Sequence, residues 1–335
     1  MNDGTPAQPG TPAQPGTPAQ PGAAAQPGTS PGPGAAAGVC AVVLAAGEGR
    51  RLRPLTERLP KALCPVGNVA LLDRALARLA ALGFDTAERV AVNACYLGDQ
   101  VVRHVAGRAH LSVEPGDPLG TSGGIANLRE WIDGRGVLVG NADGYLAHPL
   151  LPPGPDIEAL LAGWDGETVR LLGQPMTDPA QPGGFSGHRF TGFSLLPWRY
   201  LRELPATPSE LVRTVWRPAE AAGELEIVPF AGTYLDTGTP GDYLAANLHA
   251  AAGANLIDPT ATVTGTCQQA VIGGDAVVRG VVTRSVVWPG GTVEADERLT
   301  GMIRAADGLT VTAGRRTGSS TMGTTPAERA TATRG

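Results

Sequence analysis

One lysine, Lys61, stands in this 335-residue chain against 25 arginines. Lysine is a compact point charge that can approach one phosphate oxygen, whereas arginine presents a planar fork, so the two are not interchangeable. Lys61 closely follows the string Leu44-Ala-Ala-Gly-Glu-Gly-Arg-Arg-Leu-Arg-Pro-Leu-Thr56. Gly47 and Gly49 let backbone come close to a ligand there, and Arg50, Arg51 and Arg53 bring positive charge. A dinucleotide fold would need a third glycine at position 52, which is Leu52, and a P-loop would need Gly-Lys-Ser/Thr closing the loop. Both fingerprints fail. What remains is a loop whose N–H groups wrap the phosphates of a nucleoside triphosphate, with a plain structural turn as the alternative. By itself, Lys61 could equally be a surface lysine left by chance.

The elements around this loop must place it at a site. Residues 39–45 form a short apolar, β-branched run, the pattern of a strand buried on both faces. Leu71, Leu72, Leu76, Leu79 and Leu82 follow at helical spacing and stop at Gly83. The alternation continues with a strand over 89–94, a helix over 100–106, a strand over 111–114, a helix over 125–132 and a strand over 136–140. Strands alternating with helices predict an α/β fold with a doubly wound, mostly parallel sheet. Ligands of such sheets sit beyond the carboxyl ends of the strands, where the 46–56 loop and Asn141-Ala-Asp143 both lie. After about residue 255, Val281, Val287, Val293 and Leu299 recur at intervals of six, while Gln269 and Asp275 interrupt the series. That texture predicts a short hexapeptide-repeat β-helix of little more than one coil.

The extended string, with Pro60-Lys61 and Pro65-Val66 behind it, resembles the signature of the sugar-1-phosphate nucleotidyltransferases. Val92-Asn93, Leu119-Gly120-Thr121-Ser-Gly123-Gly124, Asn141-Ala-Asp143, Thr191-Gly192-Phe193 and Leu235-Asp236-Thr-Gly238-Thr-Pro240 match that family in order. The resemblance covers roughly residues 38–310 and implies a nucleotide-binding α/β domain followed by a short left-handed β-helix. The implied reaction is attack of a sugar-1-phosphate oxygen on the α-phosphorus of a nucleoside triphosphate, releasing pyrophosphate. By the same resemblance Asp143 and Asp236 hold Mg²⁺, an ion that takes one or two carboxylates plus substrate phosphates. Arg51 then grips phosphate, beside Ala45, Ala46, Gly47, Gly49 and Arg50 of the nucleotide loop, and Lys61 touches the α-phosphate or the departing pyrophosphate. Gly120, Thr121 and Gly123 become the turn against which the base lies, and Asn93 and Gly192 face the sugar. Blander readings stay open: Asp143 and Asp236 as turn or cap residues, and Asn93 as a side chain satisfying backbone at a strand end.

Many members of that family carry a second lysine for the sugar phosphate, and this chain has none. The corresponding stretch, 178–185, is proline-rich, with His188 and Arg189 as the candidates to replace it. That departure, with the Gly-Thr-Ser-Gly-Gly turn, is most similar to the mannose-1-phosphate guanylyltransferase group, which uses GTP. The alternatives are a uridylyl- or thymidylyltransferase acting on another hexose or amino-sugar phosphate, or a silent nucleotide-sugar sensor. An acyltransferase built on the β-helix is disfavoured, because all five histidines precede residue 251.

Composition bounds the rest. A net charge of −5 argues against a nucleic-acid partner, and no stretch is long and apolar enough to span a membrane. The four cysteines are widely spaced and read as buried thiols of a cytoplasmic protein. Residues 1–37, which repeat Thr-Pro-Ala-Gln-Pro-Gly, and residues 313–335 read as disordered tails. Between them the sequence divides into a catalytic domain over 38–250 and the β-helix over 251–312, a module that often supports a homo-oligomer.

Overall fold

Val39–Leu44 forms strand β1 at the middle of the main sheet, buried along nearly its whole length. The structure is a computed structural model that describes Met1, residues 38–178 and residues 182–314. The two predicted tails therefore lie almost entirely outside the described residues. Helix α1 (Leu71–Ala81) buries Leu71, Leu72, Ala75, Leu76 and Leu79 on one face. It is followed by β2 (Val90–Ala94), α2 (Gly98–Val105) and β3 (His110–Val113).

The next helix differs from its sequence pattern. Two short helices, α3 (Gly120–Ala126) and α4 (Arg129–Ile132), replace the single one expected over 125–132. The glycine-rich stretch that read as a turn is itself helical. Ser122 N–H donates to the Ser209 carbonyl at 3.0 Å and Ser209 N–H to the Leu119 carbonyl at 3.0 Å. This tertiary clasp outweighs the poor helix propensity of glycine.

Strands β4 (Gly136–Asn141), β5 (Gly144–Ala147), β6 (Val169–Pro175), β7 (His188–Leu196), β8 (Leu225–Pro229) and β9 (Thr233–Asp236) precede helix α5 (Pro240–Ala250). The main sheet runs β8-β6-β7-β4-β1-β2-β3. Four neighbouring pairs are parallel, and β7 is antiparallel to both β4 and β6. The fold is thus α/β with a mostly parallel sheet. Ala41 and Val43 of β1 join one apolar layer, with Leu72 and Leu138, while Cys40 and Val42 join the other, with Ile125 and Val137. Both faces of the sheet are covered, as an uninterrupted apolar strand requires.

From Leu256 onward, strands of two or three residues stack in parallel as a short β-helix. Leu256 pairs with Val271, Val271 with Val286 and Val286 with Ile303. The six-residue step holds from Ile272 to Val278, from Val287 to Val293 and from Val293 to Leu299, all inward-facing and buried. The first coils nevertheless close in 15 residues, because the step from Val278 to Val282 is four and that from Val282 to Val287 is five, and the last, from Val286 to Ile303, takes 17. Gln269 and Asp275 broke the apolar series because they turn corners, at φ 50° and 56°. The coils dock on the first lobe through Tyr243, Val271, Val286, Trp288 and Ile303, which share one core. Trp288 Nε1–H donates to the Tyr243 hydroxyl at 2.9 Å, and that hydroxyl donates to the Pro65 carbonyl.

Candidate functional site

The glycine loop leaves β1 and folds back upon itself. Gly49 has φ 61°, and a Cβ there would come within 2.9 Å of Thr56 Cγ2 and 3.0 Å of Lys61 Cβ. Only glycine allows that approach. Thr56, wholly buried, donates its hydroxyl to the Gly49 carbonyl at 3.0 Å and fixes the bend. The loop is thereby wrapped over the lysine stem. Lys61 is no surface residue: its side chain is 8% exposed, while that of Asp143 at its tip is 48% exposed.

Lys61 Nζ lies 3.1 Å from Asp143 Oδ2 and 3.5 Å from Asp236 Oδ1. Arg51 Nη2 reaches Asp236 Oδ2 at 3.3 Å. Two carboxylates brought this close repel one another unless cations stand between them, and Lys61 does so from a nearly water-free position. Each residue of the Asp236-Thr-Gly-Thr-Pro240 string has a separate task here. Asp236 lies opposite Gly144 in the β5/β9 pair, beside Asp143. Thr237, buried, donates its hydroxyl to the Asp143 carbonyl at 2.8 Å. Gly238 packs under the Arg51 guanidinium. Thr239 caps α5 by accepting from Asp242 N–H at 3.2 Å, and Pro240 opens the helix.

Arg50 points elsewhere. It forks onto Glu48 at 2.6 and 2.7 Å, and Arg53 reaches the same carboxylate at 3.2 Å. The hydrogen bond from Arg50 holds the Glu48 carboxyl below its usual range, and Glu48 raises Arg50 in turn.

A cavity of about 420 Å³ runs from this cluster along the strand ends. Ala45, Ala46, Gly47, Gly49, Arg50 and Arg51 line it on one side, with Lys61 and Asp143 at one end. Gly120 and Thr121 line the other end, and Asn93 lies between. Gly123 is not on the wall; it packs against the Thr207 carbonyl. Asn93 is 1% exposed and its amide is already engaged. Its Oδ1 accepts from Ala45 N–H at 2.7 Å, and its Nδ2 donates to Glu114 Oε1 at 2.7 Å. Glu114, also buried, accepts from Leu119 N–H at 2.8 Å, so Asn93 and Glu114 together brace the loop against the start of α3.

Gly192 lies apart from that wall, over the Tyr234 ring and Leu146. Tyr234 is on the same strand face as Asp236, two residues away. Burial first, and then the Asp143 and Asp236 carboxylates, push its phenol up. The Arg189 guanidinium stacks over Tyr234, 5.6 Å from the ring centre, and donates to Gln174 Oε1 at 3.1 Å. His188 instead contacts the Ser186 carbonyl through Nδ1, at 2.9 Å.

Glu114, Glu210 and Thr237 are not marked by any signal used above. Thr237 was within reach, since it sits inside the Asp236 motif. Glu210 was not, because only long-range packing brings residues 207–210 onto α3. Among the described residues no cluster of three or more His, Cys, Asp or Glu side chains could cage a metal. Two convergent carboxylates beside a phosphate-sized space nevertheless match a divalent ion that takes its remaining ligands from a substrate and water. Of the four cysteines, Cys40 and Cys64 are buried, and burial pushes both thiols up to about 12; Cys95 and Cys267 are only half-buried. No described helix is long and apolar enough to cross a membrane.

Residues 41–184 match the family model for the MobA-like NTP transferase domain. The chain is 38% identical over 138 residues to N-acetylmuramate alpha-1-phosphate uridylyltransferase of Caulobacter vibrioides, covering 38% of this chain and 54% of that protein. It is 37% identical over 110 residues to mannose-1-phosphate guanylyltransferase of Mycobacterium tuberculosis, covering 31% of this chain and 30% of that one. It is 36% identical over 146 residues to the bifunctional protein GlmU of Synechococcus elongatus, covering 42% of this chain and 30% of that one. The chain thus spans about half the length or less of these relatives, and the family match ends before Asp236. Within those bounds residues 41–184 are similar to a MobA-like NTP transferase domain, and the homologues matched are sugar-1-phosphate nucleotidyltransferases.

Proposed function

We propose that this chain transfers a nucleotidyl group from a nucleoside triphosphate to a sugar-1-phosphate, in the manner of a mannose-1-phosphate guanylyltransferase. The observation that carries the reading is the cluster of Lys61, Arg51, Asp143 and Asp236 within 3.5 Å contacts, directly beneath a glycine loop at the strand ends. The sugar-phosphate oxygen forms a bond to the α-phosphorus while the α–β bridging P–O bond breaks, and pyrophosphate leaves with the electron pair. The attacking group is already an anion, so the site needs cations and alignment more than a base.

Backbone N–H groups of the 46–49 loop cradle the phosphates, and Arg51 and Lys61 draw them to one end of the cavity. Lys61, buried and pointed by its wrapped stem, holds a compact charge against the α-phosphate and the departing pyrophosphate. Asp143 and Asp236 would hold a divalent cation, Mg²⁺ in this reading, which supplies charge neutralisation between donor and acceptor. Arg189, set beside Tyr234 and Gly192, is the cation proposed for the sugar phosphate in place of a second lysine. A uridylyltransferase is the second reading, favoured by the 38% identity to the Caulobacter protein.

Pyrophosphate release across a grid of nucleoside triphosphates and sugar-1-phosphates, with Mg²⁺, tests the proposal. The expected result is release with GTP and a hexose-1-phosphate. Silence across the whole grid would move the chain to the sensor reading.

A further inference from the structure

A carboxylate lines the end of the cavity away from Lys61, where phosphate chemistry asks for none. Glu210 borders the space, yet among the described residues it pairs with no arginine or lysine. Its Oε2 accepts from the Thr121 hydroxyl at 2.6 Å and from Thr121 N–H at 3.3 Å. Leu211 N–H donates to the same hydroxyl at 2.8 Å, so the group that holds the carboxylate is itself fixed. Glu210 Oε1 accepts no hydrogen bond among the described residues. It rests over Gly120, where φ is 71° and a Cβ would come within 2.9 Å of it.

Sheet order fixes how far this carboxylate is from the cations. Asp143 follows β4 and Gly120 follows β3, and β4-β1-β2-β3 are consecutive neighbours. Three strand spacings separate the two ends, roughly 14 Å. A triphosphate drawn to Lys61 and Arg51 is repelled by Glu210, so the nucleotide must lie with its uncharged end against this carboxylate. An ionised carboxylate only accepts hydrogen bonds. Guanine alone among the common bases offers two adjacent donors, N1–H and the N2 amino group. Uracil and thymine offer one N–H flanked by two carbonyl oxygens, which the carboxylate repels. The geometry points to Glu210 as the residue that selects a guanine nucleotide over a uracil or thymine one. The assignment rests on the nucleotidyl-transfer reading and deepens it by naming the residue that reads the base.

The test is direct binding of GTP and UTP to the full chain with Mg²⁺, by titration calorimetry, in the wild type and in Glu210→Gln and Glu210→Asp. The glutamine keeps the size and can still accept from Thr121, but it turns one acceptor into a donor. The aspartate keeps the charge and draws it back by one methylene. The wild type is expected to bind GTP about tenfold or more tighter than UTP, on the scale of one bidentate base contact. Glu210→Gln should lower the GTP:UTP ratio by about ten- to a hundredfold, and Glu210→Asp should retain part of it. An unchanged ratio in Glu210→Gln overturns the proposal, as does a wild type that prefers UTP. An equal loss for GTP and UTP also overturns it and assigns the carboxylate to the ribose hydroxyls. Each of those outcomes leaves nucleotidyl transfer standing. A chain that binds no nucleoside triphosphate overturns both readings.

Discussion

The ends of β1, β4 and β9 gather Lys61, Arg51, Asp143 and Asp236 into contact, whereas the β-helix coils stack aliphatic side chains within and keep their charges outside, save for Arg304, which is buried against Glu297. In the coils, side chains meet their counterparts one coil away. Arg279 pairs with Glu294 at 3.0 Å and Arg284 with Gln269 at 3.0 Å, each one coil away. Nothing in that arrangement asks for a special residue type beyond turn-tolerant corners and β-branched walls. The loop cluster is the reverse. Two carboxylates are held in repulsive proximity, and a lysine is buried to face them, at a desolvation cost that packing alone does not reward. The contrast separates residues retained for stability from residues retained for chemistry, and it can be broken from either side.

The largest effect should come from the cluster. Asp143→Asn or Asp236→Asn should lower kcat by about a thousandfold, with the unfolding midpoint nearly kept. Steady-state turnover and denaturant unfolding on the same samples check this, and a variant that keeps its turnover would remove the metal-holding role. The coils should respond in the opposite sense. Leu299 is buried at the inner wall, so Leu299→Ala should cost about 2–5 kcal/mol of stability and leave kcat/KM unchanged at temperatures where the chain stays folded. Lys61→Arg comes next. It retains the charge, but Gly49 and Thr56 close on the stem, so a planar fork cannot take its place, and activity should fall about a hundredfold. The smallest effect should follow from Arg58→Ala. Its 2.6 Å contact to Asp307 bridges the two regions, but both side chains are exposed, so the unfolding midpoint should not move measurably.

Much of the first lobe could be read from sequence, because its signals are local. An uninterrupted apolar strand, a leucine stripe and a glycine at the right place each specify their own conformation. The same holds for Lys61, Asp143 and Asp236, which sit in short strings at strand ends. Three features escaped for one physical reason, that their cause lies far away in the chain. The Gly120–Ala126 segment is helical because residues 207–209 clasp it. Glu210 borders the cavity through that same clasp, and Gly123 serves the packing of that loop. The coil length escaped for a different reason. Six-residue steps are visible wherever a long wall follows a corner, but the four- and five-residue steps look like noise until the coils are stacked. Asn93 stands between these cases: its strand-end position was readable, but its partner Glu114 was not, and that partner turns it into a brace.

In the proposed reaction this cluster cleaves a nucleoside triphosphate between its α- and β-phosphorus atoms and joins the α-phosphorus to a sugar phosphate. Phosphorus NMR of the full chain with GTP, mannose-1-phosphate and Mg²⁺ follows every phosphorus atom at once. Two coupled diphosphate resonances of a nucleotide sugar should rise in step with pyrophosphate, and should be absent in Asp143→Asn. Orthophosphate from the γ-position, or a spectrum unchanged across all sugar-1-phosphates and triphosphates, would contradict the proposed reaction.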